Sequence, residues 1–233
     1  MSRTYESNLL LALVCATMLC GPQQLRAGES ESESALLAKL AQAQSLGATN
    51  PQVTIALVDL ADFYRACGKF DEAEQYNRRA IANNGDQFGA MAPGTMVALL
   101  SLGRTLQEEN KLAESELTLR NALVVASRQP TASNKGGQFR DINIFCNNVI
   151  ANPRMLQGTP EVARAYEALA DLFVKENRIQ DAQRLYEQIL EIYKPSSSAN
   201  SKKIWLKLAQ VYGLQGNSEK ADQAKQRAAE CSP

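Results

Sequence analysis

The fold is decided by the stretch TIALVDLADFYRACGKFDEAEQYNRRAIANNG, residues 54–85. Apolar and small residues at helical spacing give each half of this stretch one hydrophobic face. The two sets are Leu57, Leu60, Ala61 and Tyr64 in the first half and Ala73, Tyr76, Ala80 and Ile81 in the second. Gly68 separates the halves, so the pattern predicts two helices joined by a turn. Such a pair cannot bury its apolar face alone, which predicts stacking on copies of itself.

The same spacing recurs three times downstream. Each copy of the first helix has two large residues, a small residue and another large residue: Leu57-Leu60-Ala61-Tyr64, Leu99-Leu102-Gly103-Leu106, Tyr166-Leu169-Ala170-Phe173 and Trp205-Leu208-Ala209-Tyr212. A second set of mostly small residues follows in the partner helix: Ala73, Ser115, Ala182 and Ala221, then Ala80, Ala122, Ile189 and Ala228. Small residues let two helices cross closely, while large ones fill the space to the next pair. The pattern therefore predicts four two-helix repeats and no strands.

This pattern resembles the tetratricopeptide repeat (TPR) family, in which W-x2-L-G-x2-Y in the first helix precedes A-x3-F in the second. The resemblance implies an all-α fold, a right-handed α-solenoid of about four helix–turn–helix repeats. The small residues of successive first helices are 42, 67 and 39 positions apart, whereas the family's usual repeat has 34 residues. The 42-residue step resembles the kinesin-light-chain-like TPR proteins of bacteria. The usual aromatic position of the second helix holds Leu119 and Tyr186, but Asn77 and Lys225 in the other repeats.

Composition divides the chain into five segments. They are a signal peptide (1–27), a flexible polar leader followed by a short helix over 35–46 (28–50), repeats 1 and 2 (51–128), an inserted loop (129–158) and repeats 3 and 4 (159–233). The insertion contains the apolar stretch Ile142–Cys146, which suits a helical turn or two. We expect it to project from one edge of the stack, either as a functional loop or as a mobile spacer.

The amino terminus has the pattern of an export signal. Arg3 is followed by LLLALVCATML, an 11-residue run from Leu9 to Leu19 that is apolar apart from Thr17, where roughly 20 residues are needed to cross a bilayer. We predict cleavage after Ala27 and a periplasmic or extracellular protein. Two alternatives stay open: a lipoprotein acylated on Cys20, and an uncleaved segment that anchors the protein to the membrane.

Composition also limits the chemistry. The formal net charge is zero, which gives no reason to expect binding to nucleic acid. The chain has no histidine, which excludes histidine-based acid–base catalysis and imidazole metal ligands. Cys67, Cys146 and Cys231 are far apart and form no C-x-x-C pair, which gives no support for a zinc site or a redox motif. These three thiols allow at most one disulfide. We predict no enzyme activity, no metal and no cofactor.

The resemblance implies that the first helices line a concave face that binds a peptide or a partner protein. The exposed first-helix positions are Asp59, Asp62, Arg65, Arg104, Gln107, Arg164, Glu167, Asp171, Lys175, Lys203, Lys207 and Gln210. Chaperone-binding relatives hold a carboxylate with lysine and asparagine, but those positions here are Val58, Asp62 and Ser101, so chaperone docking is not expected.

The charges of the first helices predict either helix faces that are simply solvated and paired at i,i+4 or a groove polarised along its length. Asp59 and Asp62 are at its acidic end, and Arg164, Lys203 and Lys207 are at its basic end. Such a gradient orients a charged partner more than it tightens binding. The alternative interpretation is a self-associating or envelope-assembly component that forms homo-oligomers.

Overall fold

The computed structural model describes residues 22–47, 50–88, 93–127, 142–151, 158–193 and 199–231. Within these ranges there is no strand, and the chain forms ten α-helices. They are α1 (Pro22–Ser45), α2 (Pro51–Ala66), α3 (Phe70–Phe88), α4 (Pro93–Glu108), α5 (Leu112–Ser127), α6 (Ile142–Ala151), α7 (Pro160–Lys175), α8 (Ile179–Tyr193), α9 (Ala199–Leu214) and α10 (Ser218–Glu230). The predicted core of the signal peptide and Cys20 lie outside the described residues.

Four helix hairpins form the stack: α2/α3, α4/α5, α7/α8 and α9/α10. The second helix of each hairpin packs against the first helix of the next, so the hairpins stack in chain order. The predicted all-α solenoid is therefore confirmed. The hairpins of repeats 1 and 3 begin in the same way, since Asn50 and Thr159 cap α2 and α7 and a proline follows each cap.

The small residues of the registers lie where helices cross. Ala61, Ala170 and Ala182 are fully buried. At Gly103 the Ser115 hydroxyl donates a hydrogen bond of 2.8 Å to the glycine carbonyl. A Cβ at Gly103 would lie 2.4 Å from Cδ2 of Leu119, well inside van der Waals contact. Small side chains are therefore a steric requirement of these crossings.

Every hairpin turns through the same backbone geometry. The left-handed residue is Gly68 (φ 72°), Asn110 (φ 68°), Asn177 (φ 59°) or Gly216 (φ 74°). In each turn the amide of the next residue donates a hydrogen bond of 2.8–2.9 Å back to the carbonyl five residues earlier. This bond closes the Schellman motif that ends a helix. Glycine and asparagine are the residues that adopt this conformation most readily, which explains their presence here.

The apolar core falls into two clusters. One contains α1 and repeat 1 together with Ala98 of α4, and the other contains repeats 2 to 4 together with α6. Buried polar groups lie between them: the Asn77 amide is 3.4 Å from the Thr105 hydroxyl, and the Ser101 hydroxyl donates to Asp62 at 2.9 Å. We call this contact between repeats 1 and 2 the polar seam.

Two expectations about segments outside the repeats need correction. The acidic segment 28–33, expected to be a flexible leader, lies within helix α1, which begins at Pro22 instead of near Ala35. Tertiary contacts on α2 hold the helix, since Leu40 is buried there and Glu33 accepts a hydrogen bond from the Tyr64 hydroxyl. These long-range contacts are not visible in the local pattern.

The described part of the insertion does not project from the stack. Its helix α6 packs against both α5 and α8, the second helices of repeats 2 and 3. Cys146, Val149 and Ile150 are buried there, and the Asn147 side chain accepts a hydrogen bond of 2.8 Å from Arg120. The remainder of 129–158, apart from Gly158, lies outside the described residues. Helix α6 is part of the core because its apolar residues are buried between the second helices α5 and α8.

Candidate partner-binding face

The first helices α2, α4, α7 and α9 line one side of the stack. Helix α2 contacts α4 and α4 contacts α7, whereas the second helices of successive repeats make no comparable contact within the described residues. Repeats 1 to 3 thus approach one another on this side, as in a stack that curves towards its first helices. We call this side the first-helix face.

The charges predicted at the repeat 1 end of this face are paired with neighbouring helices. Asp59 forms an ion pair with Lys39 of α1. Asp62 accepts from Ser101 of α4 and lies 3.5 Å from Arg65. Arg65 in turn pairs with a carboxylate of α4, Glu108, at 2.5 Å. These side chains therefore join α1, α2 and α4 across the face.

The repeat 4 end contains a second set of cross-helix pairs. On α9, the Lys203 and Lys207 ammonium groups lie 2.7 and 2.8 Å from Glu167 of α7. Lys207 also lies 2.6 Å from Asp171, which accepts a further hydrogen bond from the Tyr186 hydroxyl. Burial raises the pKa of Glu167, but hydrogen bonds from the two lysines outweigh it, so the net shift is downward. The arrangement keeps the carboxylate ionised and holds α9 against α7.

The remaining predicted residues differ in their surroundings. Lys175 donates to the backbone carbonyl of Gln107 at 2.9 Å, and Gln107, predicted to be exposed, is buried. Arg104 is half-buried and Arg164 is exposed. Neither arginine forms a hydrogen bond or an ion pair with another residue that the structure describes. The predicted gradient from acidic to basic is thus largely neutralised by internal pairs, because α1, α4 and α7 supply counter-charges.

Sequence reasoning missed two apolar residues on this face. Ile55 is 47% exposed and Val97 is 40% exposed. Both stand six positions before the small residue of their repeat, and Arg164 and Lys203 are the equivalents in repeats 3 and 4. We call these four exposed positions the N-terminal row. Their equal distance from the small residue is a sequence signal that could have found them.

A charged cluster at the turn of repeat 3 lies on a different part of the molecule. Arg178 bonds to Glu116 of α5 at 3.0 Å and to Asp181 at 3.1 Å, with its guanidinium 3.8 Å from the Phe173 ring centre. Arg120 also bonds to Glu116, at 2.6 Å. Burial raises the pKa of Glu116, but the hydrogen bonds and charges of the two arginines lower it by more, so the net shift is downward. These groups satisfy one another and join repeats 2 and 3.

Comparison with known proteins decides the family. Two tetratricopeptide repeat models match the chain, one at residues 52–126 and one at residues 165–199. The first match covers repeats 1 and 2 of the structure, and the second covers most of repeat 3. The chain is a tetratricopeptide repeat protein. Comparison of this TPR protein with the curated proteins gives no sequence match.

Solved structures with the same architecture include kinesin-light-chain-like proteins. BtubC (BKLC) from P. vanneervenii is 19% identical, with a TM-score of 0.65 over 90% of this chain and 75% of that one. A putative kinesin light chain of Podosopora anserina with nearly identical TPR-like repeats is 17% identical, with a TM-score of 0.57 over 97% and 95%. PilF of Pseudomonas aeruginosa is 15% identical, with a TM-score of 0.50 over 88% and 79%. At these identities the similarity concerns the fold, and it confirms the predicted resemblance.

Proposed function

We propose that this TPR protein is an exported, non-catalytic scaffold that binds a peptide or a partner protein on its first-helix face. Stacked TPR hairpins generally serve as interaction scaffolds, because the curved stack presents one extended surface. The observation that carries the proposal is the N-terminal row. Its four side chains are exposed at equivalent positions of four first helices, and two of them are apolar.

The framework of this face suits binding without rearrangement. Ion pairs and hydrogen bonds between first helices fix the backbone that carries the row, among them Arg65 with Glu108 and Lys207 with Asp171. A surface held in place before binding loses less conformational entropy when a partner arrives. These cross-helix pairs therefore support the proposed use of this face for recognition.

The chemistry of the chain favours a non-catalytic role. It has no histidine, and burial raises the pKa of the Cys146 thiol to about 11, which keeps it protonated at neutral pH. Among the described residues no group of three Asp, Glu, Cys or His side chains is placed to hold a metal ion. These features favour partner binding over catalysis as the role of the protein.

Export rests on the sequence of the amino terminus, where the 11-residue apolar run and Ala27 form a signal-peptide pattern. Of the helices that the structure describes, none is both long enough and apolar enough to cross a bilayer. We expect the exported protein to begin at Gly28. Fractionation of cells followed by mass spectrometry of the amino terminus tests this expectation. A chain found only in the cytoplasm that starts at Met1 would refute export, and a lipid on Cys20 would establish the anchored alternative.

The binding face is tested by site-specific photocrosslinking in the producing cells. A photoreactive amino acid replaces Val97 on the first-helix face or, as a matched control, Leu117 on α5, which is also exposed. We expect a discrete partner adduct from position 97 and none from position 117. Adducts from position 117 alone would place the partner on the second helices and overturn the proposal.

Self-association is the second candidate. Leu206 and Leu214 are 51% and 58% exposed on α9, in the last repeat, and an apolar pair at the end of a stack suits contact with another copy. Light scattering coupled to size-exclusion chromatography measures the oligomeric state. A dimer that becomes monomeric in the double variant Leu206→Glu/Leu214→Glu would favour this candidate over a separate partner.

A further inference from the structure

We propose that the outer side of helix α1 is a self-association surface, on which α1 of a second copy of this chain packs antiparallel about a two-fold axis. The outer side is the exposed side of α1, and it includes Ala35, Leu37, Ala38 and Ala41. This inference goes beyond the proposed function, because it concerns the helix that precedes the repeats and not the first helices.

Helix α1 occupies the place of a second helix that has no first helix. In the stack, the second helix of each hairpin packs against the first helix of the next, and α1 packs against α2 in the same way, with Leu40 and Ala43 buried. Every second helix of the repeats also packs against its own first helix, as α3 does against α2. None of the described helices packs on α1 in that role. One neighbouring place beside α1 is therefore open.

The open side of α1 is small, apolar and almost without charge. Leu37 is 40% exposed, and the three alanines named above are exposed as well. Over residues 34–46 the single charged side chain is that of Lys39, and its ammonium group is paired with Asp59 of α2. The terminal element of a solenoid needs a polar outer side to stay soluble. The outer side of α1 instead has the composition of a covered surface.

The last helix of the stack, α10, has the opposite character. Within α10 the exposed charged side chains are Glu219, Lys220, Asp222, Lys225, Arg227 and Glu230. Packing them against leucine and alanine would remove charges from water without partners, which costs free energy. A head-to-tail contact between α1 and α10 is therefore unfavourable, and a charged partner protein is unfavourable for the same reason. An uncharged helix face matches α1, and α1 of a second copy provides one.

A two-fold axis between Ala38 and Ala41 gives this pair of helices its register. In an antiparallel pair about that axis, Ala38 of each copy faces the partner's Ala41, so small side chains lie where the helices approach most closely. A contact of this kind closes as a dimer and covers both open sides at once.

The size of the contact predicts a weak dimer. Residues 34–46 make about 20 Å of helix, and two helices that touch over this length bury less than the roughly 800 Å² per partner that is typical of stable complexes. We expect a Kd of about 1–100 µM.

Sedimentation equilibrium of the protein, as the producing cell processes it, measures the dimer. Ala38→Glu places a carboxylate from each subunit in the contact, so it should weaken dimerisation by at least about tenfold. The matched control Ala229→Glu, at an exposed alanine of α10, should leave the dimer unchanged. An equimolar mixture of the Ala38→Glu and Ala41→Lys variants should form a heterodimer more tightly than either variant dimerises alone, because glutamate then faces lysine across the axis.

Two results would overturn the proposal: a protein that stays monomeric up to about 500 µM, or a dimer that Ala38→Glu does not weaken. A dimer of the second kind that is lost in Leu206→Glu/Leu214→Glu would have its contact on α9. Neither result bears on partner binding by the first-helix face, which photocrosslinking from position 97 tests separately. Circular dichroism of each variant checks that the helices are intact, as the exposure of the substituted alanines predicts.

Discussion

Two glycines in equivalent elements should respond in opposite ways to the same substitution. Gly103 lies in α4 and Gly213 lies in α9, both of them first helices of repeats. Replacing a helical glycine with alanine stabilises a helix by about 0.5–1 kcal/mol, because alanine loses less conformational entropy on folding. Gly213→Ala should show this gain, since a Cβ built at Gly213 meets no atom within 4 Å.

Gly103→Ala should lose stability in spite of the same intrinsic gain. The new Cβ would lie 2.4 Å from Cδ2 and 2.7 Å from Cγ of Leu119, a fully buried side chain. Because Leu119 is fully buried and both its Cδ2 and its Cγ would be too close, relieving the clash displaces that side chain or shifts α5 against α4. Overpacking of this kind costs about 1–3 kcal/mol. The two alanine variants should therefore differ by about 1–3 kcal/mol in unfolding free energy, with Gly213→Ala the more stable.

Urea unfolding followed by circular dichroism at 222 nm measures the difference. In thermal unfolding, 2 kcal/mol corresponds to about 4–8 °C in Tm for a chain of this size. The double variant Gly103→Ala/Leu119→Ala provides the internal check, because the methyl group added by Gly103→Ala should become favourable once the Leu119 side chain is shortened. If Gly103→Ala stabilised the protein as much as Gly213→Ala does, the argument that small residues set the helix crossings would be wrong.

Three further predictions concern other features. Asn110→Gly should stabilise the protein by up to about 1 kcal/mol, because glycine adopts the positive φ of that turn with less strain; a loss in urea unfolding would contradict this. The Glu167→Gln variant should be less stable than the wild type by about 2 kcal/mol at pH 7. Since the pKa of Glu167 is lowered in the folded state, the difference should be fully present above the unfolded pKa of about 4.3 and be lost as pH falls through the lower pKa of the folded state; a difference independent of pH would refute it. Buried Cys146, with its pKa raised to about 11, should resist iodoacetamide at pH 8 while half-buried Cys67 is alkylated; equal labelling by mass spectrometry would contradict the docking of α6.

Much of the fold was predictable because the same spacing of large and small residues occurs in four repeats. Residues such as Leu60, Ala61 and Ala73 recur at fixed spacing, and all three are fully buried. The sequence predicted helices near 35–46 and 142–146, but it did not predict that α1 begins at Pro22 or that α6 packs against α5 and α8. Both depend on contacts with helices distant in sequence. The lengthened helix α1 depends on groups such as Glu33 meeting Tyr64. No local pattern indicates such a pair.

The candidate site was predictable as a face but not as a charge distribution. Helical periodicity places Asp62, Asp171 and Lys207 on the same side of their helices, and the structure does bring that side together. Helical periodicity cannot indicate that Lys207 bonds to Asp171 of the preceding repeat at 2.6 Å. Nor can it indicate that Asp62 accepts a hydrogen bond from Ser101. Those pairs depend on the offset between neighbouring hairpins. Because this offset decides which charges cancel, the charge distribution of the face required the structure.

The polar seam has a consequence for how the protein responds to load and to ligands. Ile55 and Val97 belong to hairpins on opposite sides of it, and hydrogen bonds such as the one from Ser101 to Asp62 join those hairpins. Water competes for such groups as soon as the hairpins part, so we expect α1 and the first hairpin to separate from the remainder at a lower free energy than global unfolding. Any molecule that touches both Ile55 and Val97 bridges that joint. Binding of such a molecule should therefore slow amide hydrogen exchange at Asn77 and Thr105. Exchange at these two residues then reports how much of the protein has the molecule bound.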